Sequence, residues 1–506
     1  MKHPLHPSLY QVNARLWLGD VARGLGRPAT LDDVPDADLD RLAALGFDWV
    51  YLLGAWRTGP AGRAVSRSRE DWRRGFAEDL PDLADADIVG SPFAVQSYDV
   101  HEDFGGDAAL ARLRTRLRSR GLRLMLDFVP NHTAIDHPWV TGHPDYYVAG
   151  TEDDLAREPD NYLRVRAGGR SVVLAYGRDP YFPGWPDTLQ LNYRHPALRA
   201  AMAGELARVA ARCDGVRCDM AMLVLPDVFA RTWGDRSAPR DGPAPVDEPF
   251  WPGAIAEARA TNPGFRLMAE AYWDLEWALQ QQGFDWTYDK RLYDRLRGLD
   301  AGAVRGHLTA DAEYQRKSAR FLENHDEPRA AATFAPEVHP AAATLTYLVP
   351  GLRFVHDGQL EGRRSRTSIH IGRRRDESVD PMIQCVYEKL LKCLARPEVR
   401  DGRWRLLECR PAWDGNPSWD RFLAFLWDAE GSRLLVAVNY GPTRGQCYVA
   451  LPPEGLRGGA FRLEDLLGDE AHDREGDDLA ARGLYLDVPA WGHHAFAVAR
   501  LGGGAS

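Results

Sequence analysis

The sequence predicts an α/β fold, a closed (β/α)8 TIM barrel with a long excursion after its third strand, followed by an all-β C-terminal domain. Two observations carry this. Between about Tyr10 and Arg396, short apolar, β-branched or aromatic runs alternate with longer helix-patterned segments, and such alternation favours a parallel sheet with crossover helices. From about Trp404 the helical segments give way to strand-like alternation, the mark of a small antiparallel module.

The number of strands selects the sheet. Candidates lie at 10–18, 49–53, 123–129, 215–218, 265–269, 284–288, 319–323 and 351–356, and eight suit a barrel closed on itself. Helical patterns fill the gaps at 36–45, 107–120, 196–212, 253–260, 290–299, 339–347 and 381–395, with a short one at 274–282. The connections 54–105 and 131–193 are too long for simple crossovers. The second is rich in Asp, Pro, Gly and aromatics, so it reads as a folded excursion over the barrel mouth, with an inserted subdomain at about 133–186. The barrel then occupies 1–403 and a β-sandwich-like domain 404–506. Within that domain strands are expected at 422–427, 433–439, 446–451, 484–488 and 494–498, with no helix, before a frayed tail at 502–504.

Composition narrows the function. A hydrophobic content of 44% supplies the cores that two domains need. Sixty-three basic against 73 acidic residues give a net charge of -10, which disfavours nucleic acid or an anionic membrane as the main partner. Met1-Lys2-His3-Pro4 opens no apolar run of signal length, and no stretch of ~18 apolar residues occurs. A cytoplasmic protein is therefore expected. The six cysteines lack CxxC pairs and zinc-spaced histidines, which suits reduced thiols and no zinc site.

The informative residues are carboxylates at strand ends. Asp127 falls in the third strand, Asp219 just after the fourth, Glu270 after the fifth and Asp326 after the seventh. A (β/α)8 barrel gathers its C-terminal strand ends on one face, where active sites sit. Crowded carboxylates repel and are costly to desolvate, so they need cationic partners, and Arg217, His132 and His325 stand beside them in sequence. Arg217, two residues before Asp219, projects to the same side of an extended strand and could hold that carboxylate ionised. Ala271, Tyr272 and Trp273 place apolar rings near Glu270, the setting that raises a general acid's pKa; plain core packing explains them equally well.

Four segments then resemble the signature regions of the α-amylase family, glycoside hydrolase family 13: Asp127-Phe128-Val129-Pro130-Asn131-His132, Gly215-Val216-Arg217-Cys218-Asp219, Ala269-Glu270-Ala271-Tyr272-Trp273 and Glu323-Asn324-His325-Asp326. They come in order and each on the appropriate strand. The resemblance implies a retaining enzyme acting on a small α-glucoside or an oligosaccharide or α-glucan, without a cofactor. It makes Asp219 the nucleophile, Glu270 the general acid/base and Asp326 the residue that steadies the distorted sugar. It makes Asp127, His132, Arg217 and His325 substrate-binding or supporting residues. Phe93, in Gly90-Ser91-Pro92-Phe93, resembles the aromatic platform beneath the cleaved sugar, with Phe where the family usually carries Tyr.

Three features depart from that pattern or stand outside it. Asp219 is followed by Met220-Ala221-Met222 and not by the Lys-His pair of many starch-cleaving members, which makes extended endo-cleavage less expected. Asn131 matches a frequent calcium ligand, but Gln190 stands where an acidic ligand often does, and an amide holds a hard cation less well than a carboxylate. After the eighth strand, six arginines fall within 363–375. They read either as a solvated run balanced by Asp376, Glu377 and Asp380, or as a phosphate-binding loop at the barrel mouth.

Overall fold

The computed structural model describes residues 4–237, 244–429 and 431–501; the tail expected to fray lies outside them. Strands β1 (Ser8–Asn13), β2 (Trp49–Leu53), β3 (Arg123–Phe128), β4 (Gly215–Cys218), β5 (Arg266–Ala269), β6 (Trp286–Tyr288), β7 (Ser318–Arg320) and β8 (Leu352–His356) form a closed barrel in sequence order. All pairings are parallel, and β8 returns to β1. β2 is buried at every position, as expected for a strand covered by helices outside and by side chains within.

Two strands differ from the sequence reading. The first stops at Asn13, whose side chain accepts from the N–H groups of Arg15 and Leu16 and so caps a helix over Ala14–Leu25. Trp17 and Leu18, read as strand, lie on that helix's buried face; a short apolar run carries too little period to separate the two states. β7 ends at Arg320, short of 323, because its partner β6 ends at Tyr288, where Asp289 caps the next helix through the Leu292 N–H.

The long connections are folded. After β2, strand Trp56–Thr58 pairs with Val95–Val100, with helices Pro60–Ser68 and Glu70–Asp79 between them. After β3, His132–Ala134 pairs with Thr188–Gln190, and Tyr162–Ala167 forms a hairpin with Arg170–Ala175. Gly168 and Gly169 turn that hairpin at φ 56° and 77°, the positive region a two-residue turn requires.

The C-terminal domain holds a six-stranded antiparallel sheet and a three-stranded one. Their strands are β9 (Arg403–Leu407), β10 (Cys409–Pro411), β11 (Phe422–Ala429), β12 (Ser432–Asn439), β13 (Gly445–Val449), β14 (Ala460–Asp465), β15 (Ala471–Glu475), β16 (Leu484–Val488) and β17 (His493–Arg500). One helix, Gly476–Arg482, interrupts the expected run of strands. Alternation along β11 serves two cores: Leu423, Phe425 and Trp427 face the barrel, while Phe422, Ala424 and Leu426 face the domain's own interior. Trp427 also donates its indole N–H to Leu348 O at 2.7 Å. All six cysteines are free, and no helix among the described residues is long and apolar enough to cross a membrane.

Candidate active site

Parallel closure brings the ends of β4, β5 and β7 to one mouth. Arg217, fully buried near the end of β4, is the centre of the cluster. Its Nη1 donates to Asp219 Oδ1 at 2.5 Å, and its Nη2 lies 2.7 Å from Glu270 Oε2. One guanidinium therefore touches both carboxyls. Its Nε donates to the Tyr288 hydroxyl at 3.3 Å, and its charge sits over the Phe93 ring at 5.1 Å.

Glu270 is held from two further sides. The Met220 N–H donates to Oε2 at 2.6 Å, and the Tyr272 hydroxyl donates to Oε1 at 2.8 Å. Burial, augmented by the charges of Asp219 and Asp326, pushes its carboxyl up to about 7 against the pull of Arg217. Tyr272 thus meets Glu270 through a polar contact and not through its ring. Trp273 is partly exposed and packs edge-on against Tyr181 at 5.0 Å, where the excursion after β3 reaches the mouth. Trp273 and Asp274 both take positive φ, 62° and 66°, a conformation that costs non-glycine residues and occurs often at functional turns.

The remaining predicted residues close the ring. His132 hydrogen-bonds the Phe93 carbonyl and feels the charge of Asp219. Phe93 lies 5.5 Å from the His325 ring, and His325 Nε2 lies 3.1 Å from Asp326 Oδ2. Gln11 bonds His325 Nδ1 at 2.9 Å. Burial drives the His325 imidazole down to about 3, so it is neutral at working pH and offers a hydrogen bond instead of a charge. Asp326 is the open member, its side chain 40% exposed, against 7% for Asp219 and 5% for Glu270.

Asp127 sits deeper. Its oxygens are taken by the Tyr51 hydroxyl at 2.5 Å and the Gly54 N–H at 2.6 Å, and burial pushes it up to about 6. In this geometry Asp127 braces β2 against β3, each of its oxygens accepting one hydrogen bond from the framework. Sequence reasoning passed over Tyr51, Tyr288 and Gln11. Tyr288 ends β6, so the strand-end rule that found the carboxylates would have found it; Gln11 and Tyr51 are polar groups inside apolar strands, which was the available signal.

Among the described residues, Asn131 and Gln190 share one hydrogen-bonded group of amides and carbonyls. Gln190 Nε2 donates to Asn131 O, Asn131 Oδ1 and Leu191 O at 2.9, 3.0 and 3.1 Å, so the amide supplies a donor where a cation would need acceptors. In the arginine-rich loop, Arg374 pairs with Asp20 and Asp357, and Arg373 with Asp87 at 2.8 Å and Asp82 at 3.1 Å. The acids that hold these two come from distant elements, not from the neighbouring Asp376, Glu377 and Asp380.

Fold and site together define a (β/α)8 barrel with an arginine-bridged carboxyl cluster at its C-terminal mouth and a β-sheet domain behind it. Residues 93–292 match the α-amylase catalytic domain model. Residues 93–292 are thus similar to the catalytic domain of that family, a match over about two fifths of the chain. It is 26% identical over 362 residues to α-amylase MalA of Haloarcula japonica, covering 68% of this chain and 46% of that one. It is 28% identical over 269 residues to an α-1,4-glucan:maltose-1-phosphate maltosyltransferase of Burkholderia pseudomallei, covering 52% and 19%. In both cases the match spans less than half of the relative's own length. The crystal structure of an α-amylase from Lactobacillus plantarum superposes with a TM-score of 0.66 at 20% identity, covering 97% of this chain and 99% of that one. This last likeness speaks to the fold alone.

Proposed function

We propose that the chain is a retaining α-glycoside hydrolase of α-glucosides or α-glucans. The observation that carries the reading is the contact of one buried guanidinium, Arg217, with both Asp219 and Glu270. A retaining site needs its two carboxyls only ~5–5.5 Å apart, close enough for direct attack, and sharing one cation keeps them together.

Asp219 Oδ1 is engaged by Arg217, which leaves Oδ2 to attack the anomeric carbon. Glu270 Oε2 faces the Arg217 charge, so its proton belongs on Oε1, whose remaining lone pair accepts the Tyr272 hydroxyl. From there it passes to the glycosidic oxygen as the bond to the leaving group breaks. The covalent glycosyl-Asp219 ester is then attacked by water, whose proton returns to Glu270. Asp326, His132 and His325 surround the sugar, with Phe93 beneath it. The ester could equally be released to a sugar or to phosphate, and similarity to a maltosyltransferase makes that the second reading.

The test is product analysis on a panel of α-glucosides and α-glucans, with and without phosphate. Hydrolysis with an α-configured product, read by early proton NMR before mutarotation, is expected. Asp219→Asn and Glu270→Gln should each lower turnover by at least roughly a thousandfold while melting like the parent. A β product, or near-parental activity in either variant, would overturn the assignment.

A further inference from the structure

The barrel's other end holds an open recess of about 900 Å³, lined by the residues that begin its strands. Three acids there follow one rule. Asp48, Asp214 and Asp285 stand directly before β2, β4 and β6, and each accepts from the first free N–H of an adjoining strand: Ser8 at 2.8 Å, Leu124 at 3.0 Å and Leu267 at 2.9 Å. Each also meets an arginine: Arg400 at 2.5 Å, Arg118 at 2.6 Å and Arg266 at 2.6 Å respectively. The acids of the recess are thereby saturated by its framework.

Three further cations line the same recess: Arg123, Arg316 and Lys317. Lys317 reaches Glu313 at 2.9 Å on the helix side. Arg123 and Arg316 have no carboxylate partner among the described residues. Arg123 lies over the Trp49 ring at 4.9 Å, and its Nη2 is buried without a hydrogen-bond partner among the described residues. Burial pulls its guanidinium down to about 10, against the attraction of Asp214. An unsatisfied buried donor on a charged group is costly. The lining thus carries a surplus of positive charge in a chain whose net charge is -10.

We propose that this recess binds a phosphate group, free or as a monoester, through Arg123, Arg316 and Lys317. A guanidinium fork matches two oxygens of a tetrahedral oxyanion, and a lysine adds a point charge. A dianion satisfies the surplus better than a single carboxylate. Trp286, 8% exposed, forms part of the same wall and offers an apolar edge to the organic part of an ester. Because Arg123 begins β3 and Lys317 directly precedes β7, the bound anion would tie opposite sides of the barrel floor together.

The test is isothermal calorimetry of the full chain at fixed ionic strength with inorganic phosphate, a sugar phosphate and the matching neutral sugar, alongside melting curves. One-site binding of phosphate or its ester is expected, with a rise in Tm that follows ligand concentration. Arg123→Gln and Arg316→Ala should each weaken it at least roughly tenfold, while the Arg363→Ala, Arg364→Ala double variant at the opposite mouth should bind as the parent does. Tighter binding of the ester than of phosphate would identify an organic ligand, and equal or weaker binding the free ion. Absence of binding at about 20 mM, or parental affinity in Arg316→Ala, whose exposed position keeps the fold safe, would overturn the proposal, as would loss confined to the Arg363, Arg364 variant.

Discussion

The backbone N–H of Met220 donates to Glu270 Oε2 at 2.6 Å, so the residue after Asp219, just beyond β4, fixes the carboxyl just beyond β5. Met220 does this from the left-handed region, at φ 42° and ψ 44°, at a cost on the order of 1 kcal/mol or more for a side chain. Met220→Gly keeps the donor and relieves the strain, so turnover should stay within roughly threefold of the parent. Met220→Pro removes the donor and cannot take positive φ, and should lower kcat by about a hundredfold. Parental kcat in the proline variant would show that the N–H plays no part.

The pH profile follows from Glu270, pushed up to about 7 chiefly by burial. As a general acid it works protonated, so kcat should decline as pH rises through about 7. Folding has the same sign: a carboxyl whose pKa is raised in the native state adds stability below its unfolded value, and that stability is lost as pH rises through the native one. Tyr272 donates to Oε1 and so favours the ionised form. Tyr272→Phe should move the alkaline limb upward, and pH–rate profiles of both proteins would show a downward shift if this were mistaken.

Arg217 is fully buried between Asp219 and Glu270. Arg217→Leu leaves two acids with no cation and should cost about 3–5 kcal/mol in stability together with nearly all activity. Arg217→Lys restores one charge but cannot fork to both carboxyls, so it should recover stability more than turnover. Denaturant melts paired with kinetics separate the two effects; equal recovery of both would mean that charge alone suffices.

Trp427 reaches from the sheet domain into the barrel, with its ring 5.0 Å from His6 and 5.7 Å from the Arg353 guanidinium. Trp427→Ala should destabilise the chain by about 3–5 kcal/mol while the parent's KM is retained in the folded fraction. A changed KM would indicate that the domain reaches the site.

The barrel was legible because apolar runs and helical patterns alternate, and the acid cluster because carboxylates recur at strand ends. What was hidden depends on partners far apart in sequence. The Tyr51 and Gly54 partners of Asp127 and the bond from the Tyr272 hydroxyl to Glu270 have no local signal in the sequence. β15 is polar and largely exposed, leaving no apolar alternation to read, whereas β14 shows only a brief one at Phe461 and Leu463. The helix after Asn13 shows the converse, a local cap outweighing an apolar run that suits either state.

The aspartates that precede β2, β4 and β6 have a consequence for how such a molecule can diversify. Each pins an amide in the first two residues of an adjoining strand, so the strands are kept in step from the end remote from the carboxyl cluster. The segments over the mouth, 54–105, 131–193 and 357–380, carry little of that duty. A lineage descended from this barrel can therefore lengthen, shorten or exchange those segments, and with them the shape of what enters, while strand alignment passes unaltered to its descendants.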